Sequence, residues 1–175
     1  WEEEMSSHNV PKWYIDSCAK IKYMFPKAHA VAYIMMAMRI AWFKVHEPLM
    51  YYCAFLSIRA KSFDYEKMAF GLDNLMKNLN ETEAVEKKTA KDKELIKDMN
   101  IVREMYARGF KFEPIDIYKA DVNRFKIIDG KLMPSLSTID GLGEIAAEAL
   151  AKEAKEGEFY SIDDLKQRTG IGNKT

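Results

Sequence analysis

The sequence contains little of what several common kinds of site require. Its two cysteines, Cys18 and Cys53, are too few for a disulfide scaffold or a thiolate metal cluster, and they fit a reducing, cytoplasmic location. Lysine plus arginine equals aspartate plus glutamate at 27 each, so net charge gives no argument for nucleic-acid binding. The most apolar stretch, residues 28–43, contains His29 and Arg39 and is shorter than the roughly 20 residues of a membrane span. The composition therefore excludes a membrane segment and a disulfide-rich fold.

The residues that are present predict a folded chain. Of its 175 residues, 48% are apolar, which is enough for one domain or two small ones. The chain begins at Trp1 without an initiator methionine, and it stops just after Gly172, at a pattern that normally starts a helix. We interpret it as a piece of a larger protein, with a complete small protein as the alternative.

Proline positions and apolar periodicity predict a mainly α fold. Helices are expected over about 12–24, 26–46, 49–59 and 95–106, with a short amphipathic helix near 63–72 and a mobile loop or exposed helix start over 80–93. Asp129-Gly130 between apolar runs predicts a β-hairpin. Two further helices are expected, one from Gly143 to Gly157 and one capped by Ser161.

The strongest motif is Gly141-Leu142-Gly143, which opens an alanine-rich helix. The glycines permit a sharp turn and leave backbone amides uncovered, while Leu142 is expected to anchor the turn in the core. Amides at the positive end of a helix dipole can hold a phosphate oxygen. This is the pattern of a helix-hairpin-helix, which grips the DNA backbone without reading sequence. The alternative is a plain tight turn between packed helices.

A second copy of the pattern follows 29 residues later. Gly170-Ile171-Gly172 repeats the Gly-aliphatic-Gly spacing, and Lys174 would place a cation beside the phosphate site. Two copies are less easily produced by chance than one. The sequence therefore predicts a tandem helix-hairpin-helix module whose second hairpin is truncated.

A third signal lies in the predicted helix that begins at Pro26. His29 and Tyr33 are four residues apart and project from one helix face, and the small residues between them leave that face uncrowded. Both rings can pack flat against a base pair, and Lys27 in the first turn can reach a phosphate. Ordinary core packing of a histidine–tyrosine pair is the alternative.

These residues resemble a known family. The segments that resemble the C-family bacterial replicative DNA polymerase III alpha subunit of the PolC type are 10–33, 39–52, 107–112, 116–121, 139–143, 156–159 and 164–168. The resemblance implies helical polymerase fingers over 1–110, a β-hairpin connector over 111–134 and the duplex-binding hairpins over 135–175. It also implies template-directed DNA synthesis as the reaction of the whole protein.

The resemblance implies roles for particular residues and partners. Lys27, His29 and Tyr33 would contact the incoming deoxynucleoside triphosphate and the nascent base pair. The residues expected to bind primer-template DNA are those of the two hairpins: Gly141, Leu142, Gly143, Gly170, Gly172 and Lys174. No catalytic aspartate is matched here, so Mg²⁺ would be held elsewhere in the parent, which would also bind a sliding clamp through its tail. Two alternatives stay open: a non-enzymatic helix-hairpin-helix module of a repair protein, and a helical protein-interaction domain.

Overall fold

The computed structural model describes residues 1–22 and 26–172. Packing divides the chain into two compact units, residues 1–42 and 43–175. In its described part, the first unit contains helices and short connections but no strand. Its elements are α1 (Glu2–Ser7), α2 (Lys12–Lys20), α3 (Pro26–His29), a π-helix (Ala30–Ile34) and the first residues of α4 (Met35–His46).

Prolines set the helix boundaries in this region. Pro26 begins α3, and Pro48 occupies the first turn of α5 (Pro48–Ile58), where its missing N–H removes no helical hydrogen bond. Glu47, directly before Pro48, leaves the helical region at φ −131° and ψ 55°. The predicted helices over 26–46 and 49–59 are confirmed, with a π-helical turn inside the first.

The first predicted helix is too long. It was expected over residues 12–24, but α2 ends at Lys20 and Ile21 adopts an extended conformation with ψ 110°. Met24 lies outside the described residues. Only Ile15 of α2 is buried, so little tertiary packing is available to prolong the helix past its last turn.

The second unit is built from α5 and the helices that follow it. They are α6 (Tyr65–Met68), α7 (Leu72–Glu83) and α8 (Ala90–Ala107). The predicted polar tract over 80–93 divides into the end of α7, a short connection and the start of α8. The Thr89 hydroxyl accepts the Asp92 N–H at 3.2 Å, and the Asp92 carboxylate accepts the Thr89 N–H at 2.8 Å. This capping box starts α8.

The main core of the second unit consists of Tyr52, Leu56, Met68, Leu75, Leu79, Leu95, Met99, Val102, Met105, Phe112, Phe125 and Leu132.

The predicted hairpin is confirmed and belongs to this core. Strands β1 (Lys126–Ile128) and β2 (Lys131–Met133) pair antiparallel across Asp129 and Gly130, both of which have positive φ, 50° and 74°. The Phe125 N–H donates to the Ser57 hydroxyl at 2.9 Å, which fastens the start of β1 to α5.

A smaller core supports the C-terminal helices. After a 3-10 turn (Leu136–Thr138) the chain forms α9 (Glu144–Glu156) and α10 (Ile162–Thr169). Ser161 caps α10 as predicted, accepting the Asp164 N–H at 3.1 Å. The mainly α fold with one short hairpin is confirmed. The buried residues of this core are Leu136, Ala147 and Leu150.

The division into fingers (1–110), connector (111–134) and duplex-binding hairpins (135–175) stays a prediction, because the packing of the chain does not test these functional boundaries. No helix in the described ranges is both long enough and apolar enough to cross a membrane.

Asp98 is a buried acid that holds a loop against α8. Its side chain is 1% exposed, and it accepts the Ser62 N–H at 2.9 Å. Burial raises the pKa of the Asp98 carboxyl above its ordinary value, although hydrogen bonds from the Ser62 and Lys61 amides oppose the shift.

This raised pKa predicts a pH-dependent contribution to stability. A carboxyl whose folded pKa exceeds its unfolded pKa stabilises the fold below the unfolded value, and that contribution is lost as the pH rises through the folded pKa. Between about pH 3 and about pH 7, the free energy of unfolding of the wild type should therefore fall relative to that of Asp98→Asn. Urea unfolding across this range measures the difference, and parallel pH profiles of the two proteins would contradict it.

Candidate nucleic-acid interface

The first Gly-x-Gly turn is open to solvent. Gly141 and Gly143 are both exposed, and a Cβ added at either would meet nothing within 4 Å. Gly141 has φ 81°, a conformation that favours glycine. Gly143 has φ −66° and ψ 159°, which other residues adopt readily. The backbone therefore favours glycine at position 141 but not at Gly143, where only close approach by a ligand would require glycine.

The turn presents backbone amides at the start of α9. The first amides of a helix have no acceptor within it, and Gly143, the N-cap, provides no side chain to bind them. They lie at the positive end of a 13-residue helix. Exposed acids, Asp140 and Glu144, flank these amides. The geometry can accommodate a phosphate oxygen, but the local sequence supplies no positive side chain.

The middle residue of each motif packs inward. Leu142 and Ile171 are half-buried against the small core formed by Leu136, Ala147 and Leu150. The Leu142 N–H donates to the Ile139 carbonyl at 3.2 Å. The expected anchoring of the turn by Leu142 is therefore what the packing shows.

The second motif ends a helix. Gly170 is the left-handed C-cap of α10, with φ 70°, and its N–H donates to the Lys166 carbonyl at 2.8 Å. Gly172 is exposed. Lys174, expected to add a cation, lies outside the described residues.

Arg168 joins the two helices of the C-terminal region, and sequence reasoning did not single it out. Its guanidinium donates to the Glu153 carbonyl, to the Gly157 carbonyl at 3.4 Å and to the Glu158 carbonyl at 3.2 Å. It also lies over the Phe159 ring, 4.4 Å from the centroid. These carbonyls lie at or beyond the end of α9, where helical donors run out. Arg168 therefore fixes the connection between α9 and α10.

The predicted base-pair face lies at the surface of the first unit. The rings of His29 and Tyr33 are 4.9 Å apart between centroids and inclined by 32°. Tyr33 is 65% exposed, and Lys27 and His29 are exposed as well. Lys27 and His29 lie in the single turn of α3, and Tyr33 lies about one turn later, in the π-helix. The structure does not place this pair in a core, which was the alternative.

A charged cluster in the second unit has a structural role. Glu104 accepts a hydrogen bond from Lys44 Nζ at 2.7 Å and pairs with Arg108 Nη2 at 2.9 Å. Partial burial by itself would raise the pKa of Glu104, but the hydrogen bond and charge of Lys44, with Arg108, hold it below its ordinary value. The cluster fastens the end of α4 to α8. Among the residues with described positions, no three histidine, cysteine or acidic side chains gather closely enough to hold a metal ion.

The open turns fall within a region that matches a known motif. A family model described as a helix-hairpin-helix motif matches residues 109–175. Both Gly-x-Gly turns, α9, α10 and Arg168 lie inside this range. The predicted motif is thereby confirmed, whereas the assignment of individual residues to DNA stays a prediction.

Curated relatives match nearly the whole chain. A DNA polymerase III PolC-type of Streptococcus sanguinis (strain SK36) is 46% identical over 172 residues, which are 97% of this chain and 12% of that protein. Proteins of the same name from Streptococcus pneumoniae (strain R6) and Streptococcus pyogenes serotype M1 are 45% and 47% identical over 174 residues, 98% of this chain. The chain thus spans about 12% of the length of these relatives. Over almost its entire length, it is homologous to one segment of the PolC-type DNA polymerase III family.

Proposed function

We propose that the chain binds the phosphate backbone of duplex DNA as part of a DNA polymerase. One observation carries the proposal: the exposed Gly141–Gly143 turn offers the uncapped amides of α9 while Leu142 holds the turn against the core. Backbone amides at a helix start bind phosphate oxygens and do not distinguish bases. The contact therefore suits an enzyme that must hold duplexes of every sequence.

The reaction we propose for the whole protein is template-directed DNA synthesis, in which a primer 3′-hydroxyl attacks a deoxynucleoside triphosphate. Within this chain, His29 and Tyr33 would pack against the nascent base pair and Lys27 would contact a phosphate. The exposure of all three residues and the pairing of the His29 and Tyr33 rings support this role. So does the π-helix that contains Tyr33, because π-helical turns are frequent at functional sites. Mg²⁺ and the sliding clamp would be bound by other parts of the polymerase.

The two alternative functions explain fewer of these structural features. A non-enzymatic repair module would use the glycine turns but leave the exposed His29–Tyr33 pair without a role. A helical protein-interaction domain would give the glycines only a turn role and would not require backbone amides to stay open. The salt dependence of binding separates both DNA-binding functions from a protein-interaction domain. For DNA binding, the logarithm of the association constant falls by about 0.9 per phosphate contact for each log unit of salt.

Gly143→Val tests the phosphate contact without straining the turn. Valine adopts the backbone conformation of Gly143, and its Cβ meets nothing within 4 Å, so the fold should be retained. Its branched side chain would nevertheless keep a phosphate from the amides. We expect duplex affinity, measured by fluorescence anisotropy at low salt, to fall about tenfold.

The matched control is Ala84→Val, which places the same side chain at an exposed position after α7. It should bind DNA like the wild type, and circular dichroism should show the same helix content in all three proteins. Unchanged affinity of a folded Gly143→Val would contradict the proposed role of the turn.

A further inference from the structure

A polar cavity of about 600 Å³ lies beside the first Gly-x-Gly turn. One wall is formed by residues 61–67, which lead into α6, and by the first turn of α8. The other wall is formed by residues 137–142, which end in Gly141 and Leu142 of the turn. The charged and turn residues that matter here are Lys61, Lys67, Lys91, Asp140, Gly141 and Leu142.

The lysines on the first wall differ in whether an acidic side chain pairs with them. Lys67 is paired with Asp64, with 3.0 Å between Nζ and Oδ2. Lys61 and Lys91 are exposed, and neither has an ion-pair partner within residues 1–22 and 26–172. Asp98 holds the Lys61–Ser62 segment through the Ser62 amide, so the Lys61 backbone is fixed in place.

The turn has no cation of its own. Between Lys131 and Lys152 the sequence contains no lysine or arginine, although Asp140 and Glu144 are present. A phosphate at the amides of α9 would thus meet two nearby carboxylates, which oppose its binding. Glu66 on the opposite wall adds a third. Positive charge has to come from elsewhere in the fold if the turn is to hold a phosphodiester.

We propose that Lys61 and Lys91 supply this positive charge across the cavity and contact the DNA backbone together with the Gly141–Gly143 turn. The inference rests on the proposed DNA-binding function and extends its site to residues about 50 to 80 positions earlier in the sequence. The ligand is a phosphodiester of duplex DNA, bound on one side by backbone amides and on the other by two ammonium groups. Lys67 adds less because Asp64 already neutralises it.

The test compares the wild-type chain with the double variant Lys61→Gln/Lys91→Gln. Binding of a fluorescein-labelled DNA duplex of mixed sequence is measured by anisotropy over a series of salt concentrations. Removing two phosphate contacts should make the slope of log K against log salt less steep by about 1 to 2 and weaken binding at least tenfold at low salt. The matched control Lys77→Gln/Lys93→Gln removes two exposed lysines of α7 and α8 that do not line the cavity and that also lack an ion-pair partner in the described residues, and it should change the slope much less.

Asp140→Asn provides a measurement of opposite sign. Removing this carboxylate should strengthen duplex binding several-fold, which a loss of folding cannot imitate. The lysine contacts would be overturned if the double lysine variant had the same salt slope as its control. If the wild type still bound duplex DNA and Gly143→Val still lost binding, the proposed function would stand. A folded wild type that does not bind the duplex at low salt would overturn both.

Discussion

Replacing Arg168 with alanine is expected to loosen the whole connection between α9 and α10. The arginine is the point at which three carbonyls, those of Glu153, Gly157 and Glu158, find a donor. Alanine would leave them to water and would also remove the contact with the Phe159 ring. The second Gly-x-Gly turn follows directly after this region, so its position depends on the same contacts.

The expected size follows from the kind of bond that is lost. Hydrogen bonds from a charged donor contribute about 1.5–3 kcal/mol each when buried, and the Arg168 side chain is 23% exposed. Because water replaces the arginine at the three carbonyls, we expect a net local loss of about 2 kcal/mol. Such a loss raises the population of the locally open form roughly 30-fold. Hydrogen–deuterium exchange of peptides spanning residues 144–169 would measure this directly, because exchange follows local opening.

Two further variants make the result interpretable. Arg103→Ala removes an exposed arginine of α8 and should leave exchange in 144–169 unchanged. Arg168→Lys retains the charge but loses the planar fork that reaches several carbonyls, so its exchange should lie between those of the wild type and Arg168→Ala. Equal exchange for Arg168→Ala and the wild type would mean that apolar packing of the small core alone holds the two helices.

Local signals in the sequence predicted most of the fold correctly. Pro26 and Pro48 set helix starts through the missing proline N–H, and Asp129-Gly130 set the hairpin through positive φ. Each of these effects acts over a few neighbouring residues, so it can be deduced from composition and spacing. The Thr89–Asp92 capping box is equally local, and it would have decided between the two alternatives predicted for 80–93, a mobile loop and an exposed helix start.

What the sequence could not predict depends on distant contacts or on backbone detail. Arg168 binds carbonyls 10 to 15 residues away, and a backbone carbonyl has no residue-specific signature. Lys61 and Lys91 face the Gly141 turn only because the segments that carry them pack on one side of a shared cavity. The different conformations of Gly141 and Gly143 are invisible in a motif that contains the same residue at both positions.

Alanine at Tyr33 or His29 is expected to reduce nucleotide incorporation by the full polymerase at least tenfold. Stacking of a base on an aromatic side chain contributes about 1–3 kcal/mol, and both rings are exposed and close enough to act as one surface. The loss should appear as slower single-nucleotide extension of a primed template under saturating enzyme. Duplex affinity should be unchanged, because the backbone contact that we propose lies in the second unit.

The controls separate the rings from general damage to the first unit. Tyr33→Phe keeps the ring and should retain most of the incorporation rate. Tyr14→Ala removes an aromatic side chain of α2 that is also exposed, at 47%, and that lies outside the His29–Tyr33 pair, so it should extend primers like the wild type. If Tyr33→Ala and His29→Ala incorporate nucleotides as fast as Tyr14→Ala, the exposed pair does not contact the nascent base pair. If these two variants lose duplex binding as well as incorporation, the pair instead contacts the DNA duplex, because a face that acts only on the incoming nucleotide leaves primer-template affinity intact.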